Sequence, residues 1–176
     1  MCKKYLNDKE FYSIIEDLIN NDTVQEMKKY RHHFETTCYD HCLCVSYYAY
    51  KWAKKWNTDY KSAARAGMLH DLFLYDWRKP RPGGKGLHAF RHPRIALNNA
   101  MKILDLNEIE QDAILKHMWP LTVVLPKYKV SYIITLADKY ATFLDNVSHL
   151  KRSQKSEIRN RKSERIICIW RLAFGV

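Results

Sequence analysis

The run AARAGMLHDLFLYDW, residues 63–77, sets His70 and Asp71 side by side in a stretch otherwise apolar enough for a core helix. Burying a carboxylate without a partner costs several kcal/mol, so the pair has to cap, salt-bridge or coordinate something. Other segments repeat the oddity. In DHCLCVSYYAYKWAKKW, His41 shares a helical face with Val45, Tyr48 and Trp52, which Ala49 and Trp56 extend. His92 opens RHPRIALNNAMKIL, His117 follows Ile109 and Ala113 at steps of four, and Asp138 is in register with Ile134, Ala141 and Asp145. Any one of these alone reads as a satisfied core histidine or a cap. Six together suggest a cation: imidazole and carboxylate form the ligand set for Fe, Mn, Ni or Zn, and an ion removes the burial cost of all of them.

The elements that must position these groups are helices. The spacings between successive ligands are 29, 22, 25 and 21 residues (41 to 70, 92, 117 and 138), about one helix plus loop per step. A helical bundle delivers such residues to one central point. A first helix is expected from Asp8, with Phe11, Ile14, Ile15 and Leu18 on one stripe, and a second from Val24, Met27 and Tyr30 after the NNDT break. Ala63, Ala66 and Gly67 share the face that continues to His70, so a neighbour can approach closely. Pro93 suits the first position of its helix, Asn107 with Glu110 forms a capping box, and Pro120 is expected to end the helix bearing His117. The aromatic stripe Tyr48, Trp52, Trp56 is expected to be core. The fold class is all-α, a single compact bundle over residues 1–149 followed by a tail, 150–176, that is basic and then apolar.

Composition fits this class. Of 176 residues 47% are apolar and 28% charged, which argues against disorder, and five Gly and five Pro are too few for a turn-rich β fold. No apolar run reaches the roughly 20 residues needed to span a bilayer, and MCKKYLNDKEFY has no apolar signal-peptide core. Five cysteines, with Cys38, Cys42 and Cys44 crowded but not in CxxC spacing, read as reduced thiols of a cytoplasmic protein. A zinc site from Cys38, Cys42 and His41 lacks a fourth ligand. The net charge is +11, and eight Lys/Arg against Glu157 and Glu164 put +6 of it in residues 150–176. Such a surface suits phosphate-bearing partners, nucleic acid among them. The apolar residues of the ending RIICIWRLAFGV could dock on the bundle, join a partner chain or rest on a membrane surface, and docking is the expectation.

The order His, His-Asp, His, His, Asp, carried by DHCLCVSYYAY, AARAGMLHDL, HPRIALNNA, ILKH and LADKY, resembles the HD superfamily of metal-dependent phosphohydrolases from about Tyr39 to Asp145. The resemblance implies an HD-type bundle in which His41, His70, Asp71 and Asp138 hold one divalent ion. Asp71, having two oxygens, then bridges to a second ion held by His92 and His117, and His70 and Asp71 stand at the centre of catalysis. It implies cleavage of a small phosphorylated substrate, a phosphomonoester or phosphodiester and most naturally a nucleotide, by a metal-bound hydroxide. The cations Arg78, Lys79, Arg81 and Lys85 of the RKPRPGGKG loop, and Lys139, are candidates for substrate phosphate. His88 is an alternative to His92, His33 a candidate substrate contact, and His32 and His149 read as surface residues. Two further readings stay open: a di-iron oxygenase using the same ligands, and a non-catalytic nucleotide- or RNA-binding module.

Overall fold

The computed structural model describes residues 2–32, 36–79 and 87–174, with side chains described over 5–32, 36–79 and 87–154. Among the described residues every regular element is helical, and the isolated bridge between Arg31 and Thr37 is the sole β pairing, so the chain is all-α. After a 3-10 helix over Cys2–Asn7 come α1 (Lys9–Ile19), α2 (Asp22–Gln25) and a second 3-10 helix (Glu26–Lys29). The helices that carry the unusual polar residues follow: α3 (Cys38–Lys55), α4 (Tyr60–Leu69), α5 (His88–Ala100), α6 (Glu108–Lys116) and α7 (Lys129–Phe174). Met1–Thr142 and Phe143–Val176 form two compact units, and the bundle discussed below belongs to the first. The RIICIWRLAFGV segment, expected to dock, has its side chains outside the described residues.

Local chemistry starts these helices. Asp8 accepts from Phe11 N at 3.2 Å, Thr37 Oγ1 from Asp40 N at 3.1 Å, and Asp59 from Ser62 N at 3.0 Å. The Asn107–Glu110 capping box closes both ways, at 2.9 and 3.0 Å. Each such cap is worth about 1 kcal/mol to its helix.

The centre of the bundle is the α3–α4 pair. Val45 and Ala49 of α3 and Ala63, Ala66 and Met68 of α4 are fully buried, with Ile114 of α6 and Ile134 and Ala137 of α7. Ser46 Oγ donates to Ala64 O at 2.6 Å, so the helices touch backbone to side chain. A Cβ placed on Gly67 would lie 2.7 Å from Ser46 Cα and 2.9 Å from Ser46 N, which is closer than real atoms come. The small-residue face marks this crossing. Arg65 then ties three helices together, reaching Asp17 of α1 at 2.7 Å and Glu110 of α6 at 3.4 Å.

Four expectations need correction. The helix bearing His70 stops at Leu69, so His70 is its C-cap and Asp71 lies in the following turn, where Phe73 N donates to Asp71 O at 2.7 Å. The helix bearing His117 stops at Lys116, three residues before the Trp119–Pro120 bond, with His117 as its C-cap. By contrast α5 begins at His88, five residues before Pro93, because Phe73, Trp77 and His88 build an aromatic stack that holds its first turn. Of the aromatic stripe expected to be core, Tyr48 and Trp52 are only partly buried and Trp56 is half exposed: at the C-cap of α3 it lies beyond Tyr140, whose ring packs on Tyr48 and Trp52 instead.

Gly67→Ala should therefore be destabilising, although alanine is the better helix former by up to about 1 kcal/mol. The added methyl meets backbone, which cannot turn away, so we expect a net loss of roughly 1–3 kcal/mol and a fall in Tm of about 3–10 °C. A calorimetric Tm at or above wild type would show that the α3–α4 approach is looser than described.

Candidate metal centre

The six residues singled out by type and spacing come together in the bundle interior. His41 and His70 are completely buried, and Asp71, His92, His117 and Asp138 nearly so. How the chain aims them is visible at the imidazoles. His70 Nδ1 lies 2.8 Å from Gly67 O, His92 Nδ1 lies 3.0 Å from His88 O, and His117 Nδ1 lies 2.8 Å from Ile114 O. A carbonyl oxygen only accepts, so each Nδ1 carries a proton and each ring turns its Nε2 inward. For His70 and His117 the same bond satisfies a last-turn carbonyl of the helix that the histidine caps. The local fold thus makes the ligand orientation part of ending the helix.

Around these nitrogens the two carboxylates divide the space. His41 Nε2 is 3.1 Å from Asp138 Oδ1, and His70 Nε2 is 3.9 Å from that oxygen and 3.6 Å from Asp71 Oδ2. The other Asp71 oxygen, Oδ1, faces His92 Nε2 at 3.2 Å and His117 Nε2 at 3.6 Å, while those two nitrogens are 2.8 Å apart. Ligand bonds of about 2.0–2.2 Å at tetrahedral or octahedral angles put neighbouring ligand atoms roughly 2.8–3.6 Å apart, so these spacings suit an ion.

Two features of this geometry suit one. His70 Nε2 is buried with no hydrogen-bond partner. His92 Nε2 and His117 Nε2 face each other across 2.8 Å, the spacing of two nitrogens that bind one ion at bonds of about 2.0–2.1 Å. The sets His41–His70–Asp138 and His70–Asp71–His117 each bring their ligand atoms within 4.8 Å of one another. Buried His/Asp groups of this chain can hold a metal ion.

A cavity of about 260 Å³ opens onto the cluster, lined by Asp71, His92, His117 and Asp138 and walled in part by Trp77 and Lys139. Of the cations expected at substrate phosphate, Lys139 alone among the described residues lines it. Its Nζ sits 2.9 Å from Asp138 Oδ2 while the side chain remains about half exposed. Arg78 serves structure: its guanidinium donates to the carbonyls of Arg31 and His32, at 3.3 and 3.0 Å, and lies 5.0 Å over the Trp77 ring. Lys79 is exposed and does not line the cavity. Arg81, Lys85 and His33 lie outside the described residues.

The reading of His32 as a surface residue is overturned. It is buried, its Nε2 is 3.0 Å from Asp71 Oδ2, and its ring stacks on His41 with centroids 3.7 Å apart. It sits in the irregular segment before α3, where no periodicity marks an inward position. The cue in the sequence is YRHHFET, two histidines just ahead of the first ligand. His88, the alternative to His92, is placed one turn earlier on α5, where its Nδ1 meets Tyr75 OH at 3.0 Å and its ring stacks between Trp77 and His92. The thiols lie behind the site: Cys38 Sγ donates to Asp71 O at 3.1 Å, and Cys42 Sγ is 3.8 Å from His70 Nδ1.

Burial pushes the Asp71 and Asp138 carboxyls up, but the surrounding imidazoles outweigh it. His70, His92 and His32 hold Asp71, and His41 and His70 hold Asp138, well below the usual carboxylate range. Burial, reinforced by His70, pushes His117 down to about 3 against the pull of Asp71. Burial and His92 push His88 down to about 4. At neutral pH His117 is therefore uncharged, the form in which imidazole binds metal.

Compared with known proteins, the chain matches no protein-family model, no curated protein and no solved structure.

The depressed His117 pKa sets a pH dependence for the metal-free protein. Unfolded, this ring takes a proton near its ordinary 6.5; folded, near 3, so between those values the unfolded chain binds more protons and stability rises with pH. As pH falls through that window His117 costs up to about 5 kcal/mol, and His88 adds in the same direction. We expect the urea midpoint of chelator-treated protein to fall steadily from pH 7 to pH 4, and His117→Gln to flatten that slope. A midpoint constant over this range would contradict the burial of a neutral ring.

Proposed function

We propose that the chain is a metal-dependent phosphohydrolase of the HD type, cleaving a phosphomonoester or phosphodiester of a small substrate, a nucleotide being the best match to its basic character. One observation carries the reading. Asp71 offers one oxygen to His70 and the other to His92 and His117, so a single carboxylate is shared by two groups of imidazoles. Residues His41, His70, Asp71 and Asp138 would hold one ion, and Asp71, His92 and His117 a second. When bound, divalent Fe, Mn, Ni or Zn lowers the pKa of water and neutralises phosphoryl oxygens.

The chain's own residues supply the rest. The Nδ1–carbonyl bonds fix three rings before substrate arrives, so no reorientation is needed on binding. The cavity, about 260 Å³, takes a phosphoryl group and part of its alcohol while the bulk of a nucleotide stays outside. At its edge Lys139 is, among the described residues, the cation available to a substrate oxygen, since its Asp138 partner is the residue an ion would claim. A basic surface alone, as in a nucleic-acid-binding module, has no need of six buried ligand-type groups.

The test is elemental analysis beside phosphatase and phosphodiesterase assays on one set of preparations. His92→Ala and His117→Ala should each lose about one ion per chain, and Asp71→Asn more, because a neutral amide compensates cations poorly. Activity should fall by orders of magnitude in all three. Full activity and wild-type metal content in both histidine variants would replace the two-ion assignment by a single site at the other four residues. Turnover that requires O₂ and iron would replace hydrolysis by oxygenation.

Lys139→Ala should act differently. With metal content unchanged, we expect KM to rise several-fold and kcat to change little, the pattern of a lost ground-state contact. Unaltered KM would place the phosphate elsewhere.

A further inference from the structure

His32 is absent from the six-residue pattern, yet it is the nitrogen nearest to Asp71, with Nε2 at 3.0 Å from Oδ2. Its proximity to His41 and Asp71 makes it a formal third member of a ligand group. The ring geometry rejects that role. His32 and His41 are stacked at 3.7 Å with only 13° between their planes. An imidazole lone pair lies in its ring plane, and an ion midway between the two would sit roughly 1.8 Å out of each plane, against a bond of about 2.1 Å. No ion held properly by His41 is shared by His32. His32 Nε2 faces Oδ2 and not the Oδ1 that faces His92 and His117, so at 3.0 Å from a carboxylate oxygen it is placed as a hydrogen-bond donor.

Resting on the metal-centre reading above, we infer that His32 is a positioning residue: it donates Nε2–H to Asp71 Oδ2 and fixes the rotation of the shared carboxylate. One lone pair of Oδ2 is then occupied, which leaves the other for an ion and turns Oδ1 toward His92 and His117. The ring is braced for this task. Its backbone N donates to Thr36 O at 2.9 Å, and its carbonyl accepts from Trp77 Nε1 at 3.3 Å and from Arg78 Nη2 at 3.0 Å. From the far side, Cys38 Sγ holds the Asp71 carbonyl at 3.1 Å. Both halves of the His32–Asp71 bond are therefore anchored through their own main chains. Trp77 also lines the cavity, so the wall that a substrate meets is bonded to the residue that orients Asp71.

Two substitutions separate the donor from the stack. His32→Phe keeps a flat ring against His41 and has no N–H; His32→Gln gives up the ring and keeps an amide N–H at similar reach. The full chain, stripped with chelator, is titrated with Co(II), following the visible d–d absorption, bound stoichiometry and affinity, with circular dichroism to establish folding. The Phe variant should bind Co(II) about 10–100-fold more weakly, with a shifted spectrum and unchanged stoichiometry, while the Gln variant should stay within about 3-fold of wild type. Should the Phe variant not fold, His32→Met, also without a donor, is compared with Gln in its place. A donor-less variant that matches wild type, or a Gln variant as impaired as Phe, overturns the inference. Loss of one ion per chain in every variant makes His32 a ligand and overturns it as well. Wild-type protein that binds neither Co(II) nor Mn, Fe, Ni or Zn removes the metal-centre reading itself, and the positioning role falls with it.

Discussion

Two carboxylates in a nearly dry interior set the terms for this bundle. Asp71 and Asp138 are 3% and 8% exposed, and each would cost several kcal/mol if left bare. Among the described residues the chain answers with imidazoles, not with arginine or lysine, apart from Lys139 at the rim. An imidazole ring compensates a carboxylate when protonated and joins it in holding a cation when neutral. Arginine offers only the first option, because it has no lone pair to give. A core built to be merely stable has no reason to prefer histidine here; apolar residues of similar volume commonly stabilise more.

Bringing rings from different helices this close demands backbone proximity. His41 of α3 and His70 at the end of α4 have centroids 5.5 Å apart, and Gly67 is what allows it. Its missing Cβ admits Ser46, and its carbonyl holds His70 Nδ1. One residue thus sets both the separation of the helices and the tautomer of the ring that one of them ends on. Asn99 contributes from α5, donating to Leu72 O at 2.8 Å just past Asp71, so the turn after α4 is secured against the helix that carries His92. The site is a property of helix ends and crossings more than of helix faces.

That distinction explains what could be read from the residues alone. Periodicity located the elements with regular apolar stripes: the Asp8 cap, the Asn107–Glu110 box and the face of α7 with Ile134, Ala137 and Asp138 all lie where the pattern puts them. It misplaced the ends next to the site, because His70 and His117 close α4 and α6 through Nδ1–carbonyl bonds. No spacing rule encodes such a bond, and apolar residues continue past it. Pro93 misled for a related reason: proline is favoured at a first position, but the stack of His88 on Trp77 starts α5 earlier. His32 was invisible to periodicity altogether. Its burial comes from tertiary stacking on His41 and from bonds made by Trp77 and Arg78, residues more than forty positions away. The loop cations show the opposite failure, since charge in the sequence says nothing about whether Arg78 faces a substrate or two carbonyls.

Charge balance links this architecture to the proposed chemistry. With neutral histidines, the six ligand-type residues carry −2, all of it on Asp71 and Asp138. One divalent ion cancels that charge, and a second leaves the cluster at +2 at the foot of a cavity edged by Lys139. A positive site whose ligands are buried favours a compact anion of matching charge, because the field there is screened less than at the surface. A phosphoryl group has that size and charge. By the same argument the protein should hold its second ion more firmly once such an anion is present than before, since the pair removes a charge that the interior would otherwise have to bear. Two ligands that each relieve the burial cost of the other are positively coupled by linkage, so metal and substrate should each raise the affinity of the other.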